Sequence, residues 1–106
     1  MKNWKNIVYN RILQYIGLAS RARKTVTGEM LFTKIRQKDV YFVIIASDAS
    51  ANSQKKISDK CKYYAIPYSI YSTTAEISKA LGKHNRVAIG ITEKNFAATI
   101  QKEIGG

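Results

Sequence analysis

The sequence predicts an α/β fold, a three-layer α-β-α sandwich with a small mixed sheet. Residues 40–46 form an unbroken apolar run with four β-branched side chains, which is typical of a strand covered on both faces. Segments with helical and strand-like spacing alternate along the chain, and this alternation favours a sheet between two layers of helices. A length of 106 residues with 45% hydrophobic residues fits one domain, which we expect to span residues 1–106.

The amino-terminal part is expected to form two helices and a short strand. Apolar residues, Val8 among them, recur at helical spacing between residues 7 and 19, and Gly17 weakens the end of that helix near Ser20. Residues 25–27 could form a short strand. A second helix is predicted from Gly28 to Gln37, with Leu31 and Ile35 buried.

The carboxy-terminal part is expected to continue the alternation after the buried run. Residues 47–50 form a turn that caps a helix over residues 52–64, and that helix buries Ile57, Cys61 and Tyr64. Four further elements follow: a strand at 68–71 after Pro67, a helix at 74–81 closed by Gly82, a strand at 86–91, and a helix capped by Thr92 that buries Phe96, Ile100 and Ile104.

Residues 17–30 form the stretch that carries the main functional signal. Arg21, Arg23 and Lys24 place three cations in four positions, and Gly28 follows where a helix is expected to begin. Backbone N–H groups at a helix start point outward, with the positive end of the helix dipole behind them. Cations beside such a terminus make an anion site, for which phosphate is the usual ligand. The alternative is a solvated basic loop between two helices.

The charge of the chain indicates a polyanionic partner. Eighteen Lys and Arg stand against seven Asp and Glu, for a net charge of +11, and residues 1–38 hold nine cations against Glu29 alone. RNA, DNA and anionic lipid would each fit this charge. The absence of a long apolar run argues against a membrane partner and a signal peptide. A single cysteine, Cys61, excludes an internal disulfide and favours the cytoplasm.

The sequence contains little that would support catalysis, a metal or a cofactor. Gly82 and Lys83 are followed by His84 rather than Ser or Thr, so no phosphate-binding P-loop is present. His84 is the single histidine, and it is expected to be a loop residue rather than a catalyst. Cys61 is expected in the core, and Asp48 to cap a helix or turn. We therefore predict no enzyme activity, no catalytic or metal site and no cofactor.

The seven tyrosines are candidate stacking surfaces for bases. By position, Tyr41, Tyr63 and Tyr64 are expected to be mostly structural. Tyr71, at a strand end, is the more plausible contact.

Five segments occur in an order that resembles a known family. They are Gly28 at a helix start and residues 43–48, 66–68, 76–82 and 86–89. Together they resemble the small ribosomal proteins of the L7Ae and L30e type, and residues 17–24 and 59–61 look closer to the bacterial YlxQ-like members. The resemblance covers nearly the whole chain. It implies an α-β-α sandwich that binds structured RNA, often a kink-turn, without catalysis or cofactor.

The resemblance also implies particular contacts. In the family, a Gly-x-Asn-Glu element at the start of the second helix enters the RNA groove, and a lysine one turn later contacts phosphate. The matching positions here are Gly28, Glu29, Met30 and Leu31, with Lys34 as the lysine. Met30 and Leu31 replace the Asn and Glu, which removes polar atoms that could read base edges. A second family contact, the loop before the fourth helix, corresponds to residues 72–75 followed by Ile77.

These arguments predict a non-catalytic, ribosome-associated RNA-binding protein, which we expect to be a monomer that binds ribosomal RNA. The expected RNA-binding residues are Arg21, Arg23, Lys24, Thr27, Gly28, Glu29, Lys34, Thr73, Thr74 and Ile77. Two alternatives stay open: a protein-interaction module with a basic face for an acidic partner, and an RNA-recognition domain acting in trans for an RNA-modifying enzyme.

Overall fold

The computed structural model describes residues 4–105, with side chains from Arg11 onward. The helical spacing predicted for Val8, and the two of the nine cations of residues 1–38 that precede Arg11, therefore lie outside the described side chains. The elements, in chain order, are α1 (Trp4–Arg21), β1 (Thr25–Val26), α2 (Gly28–Arg36), β2 (Phe42–Ile45), α3 (Ala51–Tyr63), β3 (Tyr68–Ile70), α4 (Thr74–Leu81), β4 (Ala88–Ile91) and α5 (Lys94–Gly105).

The four strands form one mixed sheet in the order β1-β4-β2-β3. The pair β2 and β3 is parallel, with Ile44 opposite Ser69, whereas β4 is antiparallel to both β2 and β1. All four residues of β2 are buried, as the apolar run predicted. The predicted mixed sheet is confirmed.

Alternate residues of β2 face opposite helical layers. Phe42 and Ile44 belong to a core with residues from α1, α4 and α5, including Ile16, Ile77 and Ile100. Val43 and Ile45 belong to a second core with residues of α2 and α3, among them Leu31, Ile35, Ile57 and Cys61. The three-layer α-β-α sandwich is therefore confirmed, and the predicted inward faces of the second and third helices are correct.

The predicted cap of the last helix is wrong by one residue. Glu93, not Thr92, precedes α5, and its Oε2 accepts a hydrogen bond of 2.7 Å from the Phe96 N–H. A carboxylate at this position also interacts favourably with the positive end of the helix dipole.

The turn at residues 47–50 serves two helices. Ser50 caps α3, whereas Asp48 accepts a hydrogen bond from the Thr74 N–H at the start of α4.

Four helices end in the same backbone motif, in which a residue with positive φ follows the helix. For α4 this residue is Gly82, with φ 67°, as predicted. The other three helices use Arg23, Lys38 and Ala65, with φ between 57° and 61°. The paired hydrogen bonds are alike; Arg23 N–H donates to Ser20 O and Lys24 N–H to Ala19 O, the Schellman pattern. Sequence reasoning found the glycine ending alone because the other three lack that signal.

Candidate functional site

The start of α2 presents an open backbone surface. Thr27 occupies the N-cap position, but its side chain makes no capping hydrogen bond, so the hydroxyl does not cover the first N–H groups. Gly28 is exposed, has φ 62°, and would place a Cβ in open space with nothing within 4 Å. The backbone conformation requires glycine there, and the missing side chain leaves room for a ligand close to the main chain.

Two loops are joined at the carboxyl ends of the parallel strands β2 and β3. Asp48 Oδ1 accepts hydrogen bonds of 2.8 Å from both the N–H and the hydroxyl of Thr74. These bonds lower the pKa of the Asp48 carboxyl, since they favour its charged form. The start of α4 is therefore attached to the loop that follows β2.

The loop between β3 and α4 is held at further points. The carbonyl of Ser72 accepts from the Ser47 N–H at 2.8 Å and from the Ser47 hydroxyl at 2.7 Å. Ser72 is buried and has φ 69°. The Thr73 hydroxyl caps α4 by accepting from the Glu76 N–H at 3.2 Å. Thr73 and Thr74 are thus fixed in position, each half-buried.

A loop that the sequence analysis did not select lies between Gly28 and these threonines. Asn85 borders a small cavity of about 110 Å³ with Gly28, and on its other side it borders a groove with Asp48 and Thr74. Lys83, His84 and Asn85 are exposed. No motif marked this loop, and the available signal was its position between a helix closed by Gly82 and the strand that follows.

Arg86 ends that loop and carries an unused hydrogen-bond donor. Its N–H donates to Ser78 Oγ at 2.9 Å and its Nη1 to His84 O at 3.0 Å. Its Nε is buried without a hydrogen-bond partner among the described residues. We call the surface formed by Gly28, Glu29, Asp48, residues 72–74 and residues 83–86 the strand-end site.

Met30 and Leu31, which replace the family's polar pair, have different environments. Met30 is 53% exposed and can offer only apolar atoms to a ligand. Leu31 is 2% exposed in the core between α2 and the sheet. A Cβ on Gly90 would lie 2.6 Å from Leu31 Cδ1, so Leu31 fills the space that Gly90 leaves. Leu31 is therefore a core residue and is not available to read a base.

Arg21, Arg23 and Lys24, which we call the cation loop, do not lie beside the start of α2. The carbonyl of Lys24 accepts from the Thr92 N–H at 2.8 Å, at the carboxyl end of β4, whereas Gly28 lies beside Val87 and Ala88 at its amino end. Gly28 lies four positions beyond Lys24 along an extended chain, which spans about 13 Å. The prediction of one joint anion site is wrong, because β1 places the two features at opposite ends of an edge strand.

All three cations of this loop are exposed. Arg21 borders a groove between α1 and α4 with Lys79, and Lys24 borders one between α1 and α5 with Phe96. N–H groups of Phe96 and Asn95 lower the pKa of the Glu93 carboxyl, and the Lys24 ammonium adds to this effect. The loop is thus a separate positive surface.

The remaining predicted residues divide between accessible and buried positions. Thr27 and Lys34 are half-buried and Glu29 is exposed. Ile77 is fully buried in the core beneath α4, so its expected contact with RNA is wrong: helical spacing turns it inward. The tyrosine assignment also fails in part, because Tyr63 is 81% and Tyr41 49% exposed, while Tyr71 packs against the core.

The described residues offer no arrangement for other chemistry. Burial raises the pKa of the Cys61 thiol to about 11, which makes it inert at neutral pH. Within residues 4–105 no three His, Cys, Asp or Glu side chains are grouped to hold a metal ion. None of the helices in this range has the length and hydropathy to span a bilayer.

Comparison with known proteins identifies the family. The model of the ribosomal protein L7Ae/L30e/S12e/Gadd45 family matches residues 10–101. The chain belongs to this family. The family is non-enzymatic and the similar proteins are named RNA-binding proteins, which agrees with the prediction of no enzyme activity. The chain is similar to RNA-binding protein YlxQ of Bacillus subtilis, with 43% identity over 77% of this chain and 83% of that protein. The YlxQ protein of Enterococcus faecium is 39% identical over 91% and 93%.

Two solved structures share the L7Ae-type fold. A Bacillus halodurans protein of unknown function has a TM-score of 0.85 at 35% identity, covering 90% of this chain and 97% of its own. A 15.5 kD RNA-binding protein of Giardia lamblia has a TM-score of 0.75, with 99% and 88% covered. At 13% identity, the second likeness concerns the fold alone. The resemblance to YlxQ-like bacterial members is confirmed.

Proposed function

We propose that this L7Ae-family protein binds structured RNA at the strand-end site and holds phosphates with the cation loop. The observation that carries the proposal is the open start of α2 at Gly28, beside a loop pair locked by Asp48 and Thr74. Backbone N–H groups at a helix start attract phosphate, and a fixed neighbouring loop lowers the ordering cost of binding. Relatives 39–43% identical are named RNA-binding proteins, which supports the same role here.

The target we propose is ribosomal RNA, bound by a cytoplasmic monomer. The net charge of +11 suits a highly charged polyanion. Membership of a ribosomal-protein family favours ribosomal RNA over other structured RNA. Gel filtration with light scattering tests the monomer, and crosslinking in cells followed by sequencing of the attached RNA tests the target.

Recognition of a kink-turn is proposed to be modest. Met30 and the buried Leu31 supply no hydrogen bonds to base edges, and each such contact normally adds about 1–3 kcal/mol of discrimination. Phosphate contacts from the cation loop and Lys34 hold RNA without reading its sequence.

A competition titration tests both the binding and its selectivity. A kink-turn RNA and the same RNA with its sheared purine pairs destroyed compete at fixed salt. We expect binding of both, with a preference below about a hundredfold, near 3 kcal/mol. A larger preference would contradict the assignment of Met30 and Leu31. Affinity for RNA that is flat with salt would contradict the electrostatic basis of the proposal. A pull-down that survives nuclease would instead favour an acidic protein partner.

A further inference from the structure

We propose a second RNA-binding surface, in which a flank of the RNA bound at the strand-end site runs along the groove between α2 and α3. Lys56 and Lys60 would contact its phosphates, and Tyr63 would stack on an unpaired base at the far end. This surface rests on the proposed function, because it extends the same RNA beyond the strand-end site.

The groove begins at the strand-end site. Gly28, Phe32 and Ile57 border the same small cavity as Asn85 and Arg86. Phe32 lies one turn into α2, and the Lys56 ammonium lies 5.1 Å from the centre of its ring, within cation–π range. A strand of RNA leaving Gly28 along this side of α2 would therefore meet Lys56 first.

The positive side chains then repeat along both helices. Both α2 and α3 begin at the same end of the sheet, so they run in the same direction. Arg36 and Lys60 each lie four residues beyond Phe32 and Lys56, one turn farther along. Lys60 is half-buried and Lys56 is exposed. Together α2 and α3 carry six cations against Glu29 and Asp59.

The acidic residue of α3 does not oppose this row. Asp59 pairs with Lys55 at 3.0 Å, which offsets its negative charge. Helical spacing places Lys55 and Lys62 on a different side of α3 from the row of Lys56, Lys60 and Tyr63. The row thus keeps its positive charge. A phosphate backbone is favoured over an acidic protein because the groove is continuous with a site argued to hold RNA.

Tyr63 ends the row with an unusually exposed aromatic ring. It is 81% exposed and contacts Tyr64 edge-on, with ring centroids 4.8 Å apart. It lies seven residues beyond Lys56, about 10 Å along the helix axis. An exposed ring beside a row of lysines suits the stacking of an unpaired base.

The test compares two double variants on two RNAs. K56A/K60A removes the row, and K55A/K62A removes the same charge from another side of the same helix. A short RNA carries the core motif alone, and a long RNA adds a flank with an unpaired end. We expect K56A/K60A to weaken binding of the long RNA about tenfold and to flatten its salt slope by about 0.7–0.9 per lost contact. Neither variant should change binding of the short RNA.

Further arms separate charge, stacking and fold. K56R/K60R should restore affinity for the long RNA, and Y63A, but not Y63F, should lose about fivefold or more on it. The inference would be overturned if K55A/K62A and K56A/K60A lost the same affinity for the long RNA. It would also be overturned if K56A/K60A lost no affinity while its melting temperature was unchanged, or if polyglutamate competed for the protein as well as the long RNA does. If the wild type binds neither RNA, the proposed function itself fails. If it binds both equally well, this inference alone fails.

Discussion

The two ends of β1 differ in how they could engage RNA. At the end near Gly28, hydrogen bonds from Thr74 to Asp48 and from Ser47 to Ser72 fix the surrounding loops. At the other end, the cation loop offers three exposed positive side chains. Its backbone is held by hydrogen bonds such as that from the Thr92 N–H to the Lys24 carbonyl. Shape is defined at the first end, and charge is concentrated at the second. Since phosphate contacts give affinity and fixed shape gives selectivity, the two ends are expected to contribute separately.

The largest expected effect is the loss of stability on placing a polar side chain at Leu31, one of the two positions where the family has residues that can read bases. L31E would place a carboxylate at a position that is 2% exposed. We expect the free energy of unfolding to fall by about 3–5 kcal/mol, as for an uncompensated buried charge. M30N, at the exposed neighbour, should change stability by less than about 0.5 kcal/mol. Urea denaturation measures both, and wild-type stability in L31E would show that Leu31 is not a core residue.

The next effect separates charge from shape. Alanine at Arg21, Arg23 and Lys24 together should weaken RNA binding by about 3 kcal/mol, roughly one per phosphate contact, with little change in melting temperature. The matched control K55A/K62A/K102A removes the same charge elsewhere. Equal losses in both triple variants would mean that net charge, not the loop, attracts RNA. A fall in melting temperature without a fall in affinity would make the loop structural.

A smaller effect concerns Arg23, whose substitution is expected to change both the stability of the fold and the affinity for RNA. Arg23 has φ 61°, a conformation that costs a non-glycine residue about 1–2 kcal/mol. The greater freedom of glycine in the unfolded chain offsets part of this gain, so R23G should stabilise the fold by about 0.5–1 kcal/mol. It should also weaken RNA binding, because it removes a positive charge. A65G, at the same motif after α3, should stabilise without affecting binding, and G82A should destabilise. A loss of stability in both R23G and A65G would refute the strain argument.

The sequence predicted the sandwich because its signals were local and strong. The apolar run at 40–46 and the helical spacing of Leu31 and Ile35 depend on burial alone, and both were correct. The place of Lys24 relative to Gly28 depends on the pairing of β1 with β4, which no local pattern reveals. For the same reason the loop at residues 83–86 was missed. Ile77 was assigned by family position, although its spacing within α4 turns it inward.

The smallest effect tests how the strand-end site is held, and it is confined to acid pH. Because hydrogen bonds from Thr74 lower the pKa of Asp48 below its usual 3.8, the carboxylate adds stability above the unfolded pKa. This contribution disappears as pH falls through the folded pKa. D48N should thus be less stable than the wild type at neutral pH, and the difference should shrink in acid. Glu93, whose pKa is also lowered, keeps its own acid response in D48N, so D48N/E93Q should have the flattest profile. Urea unfolding midpoints between pH 2 and pH 7 measure the stability of all three proteins. If the difference in stability between wild type and D48N stayed constant over this range, the Asp48 charge would not hold the two loops together.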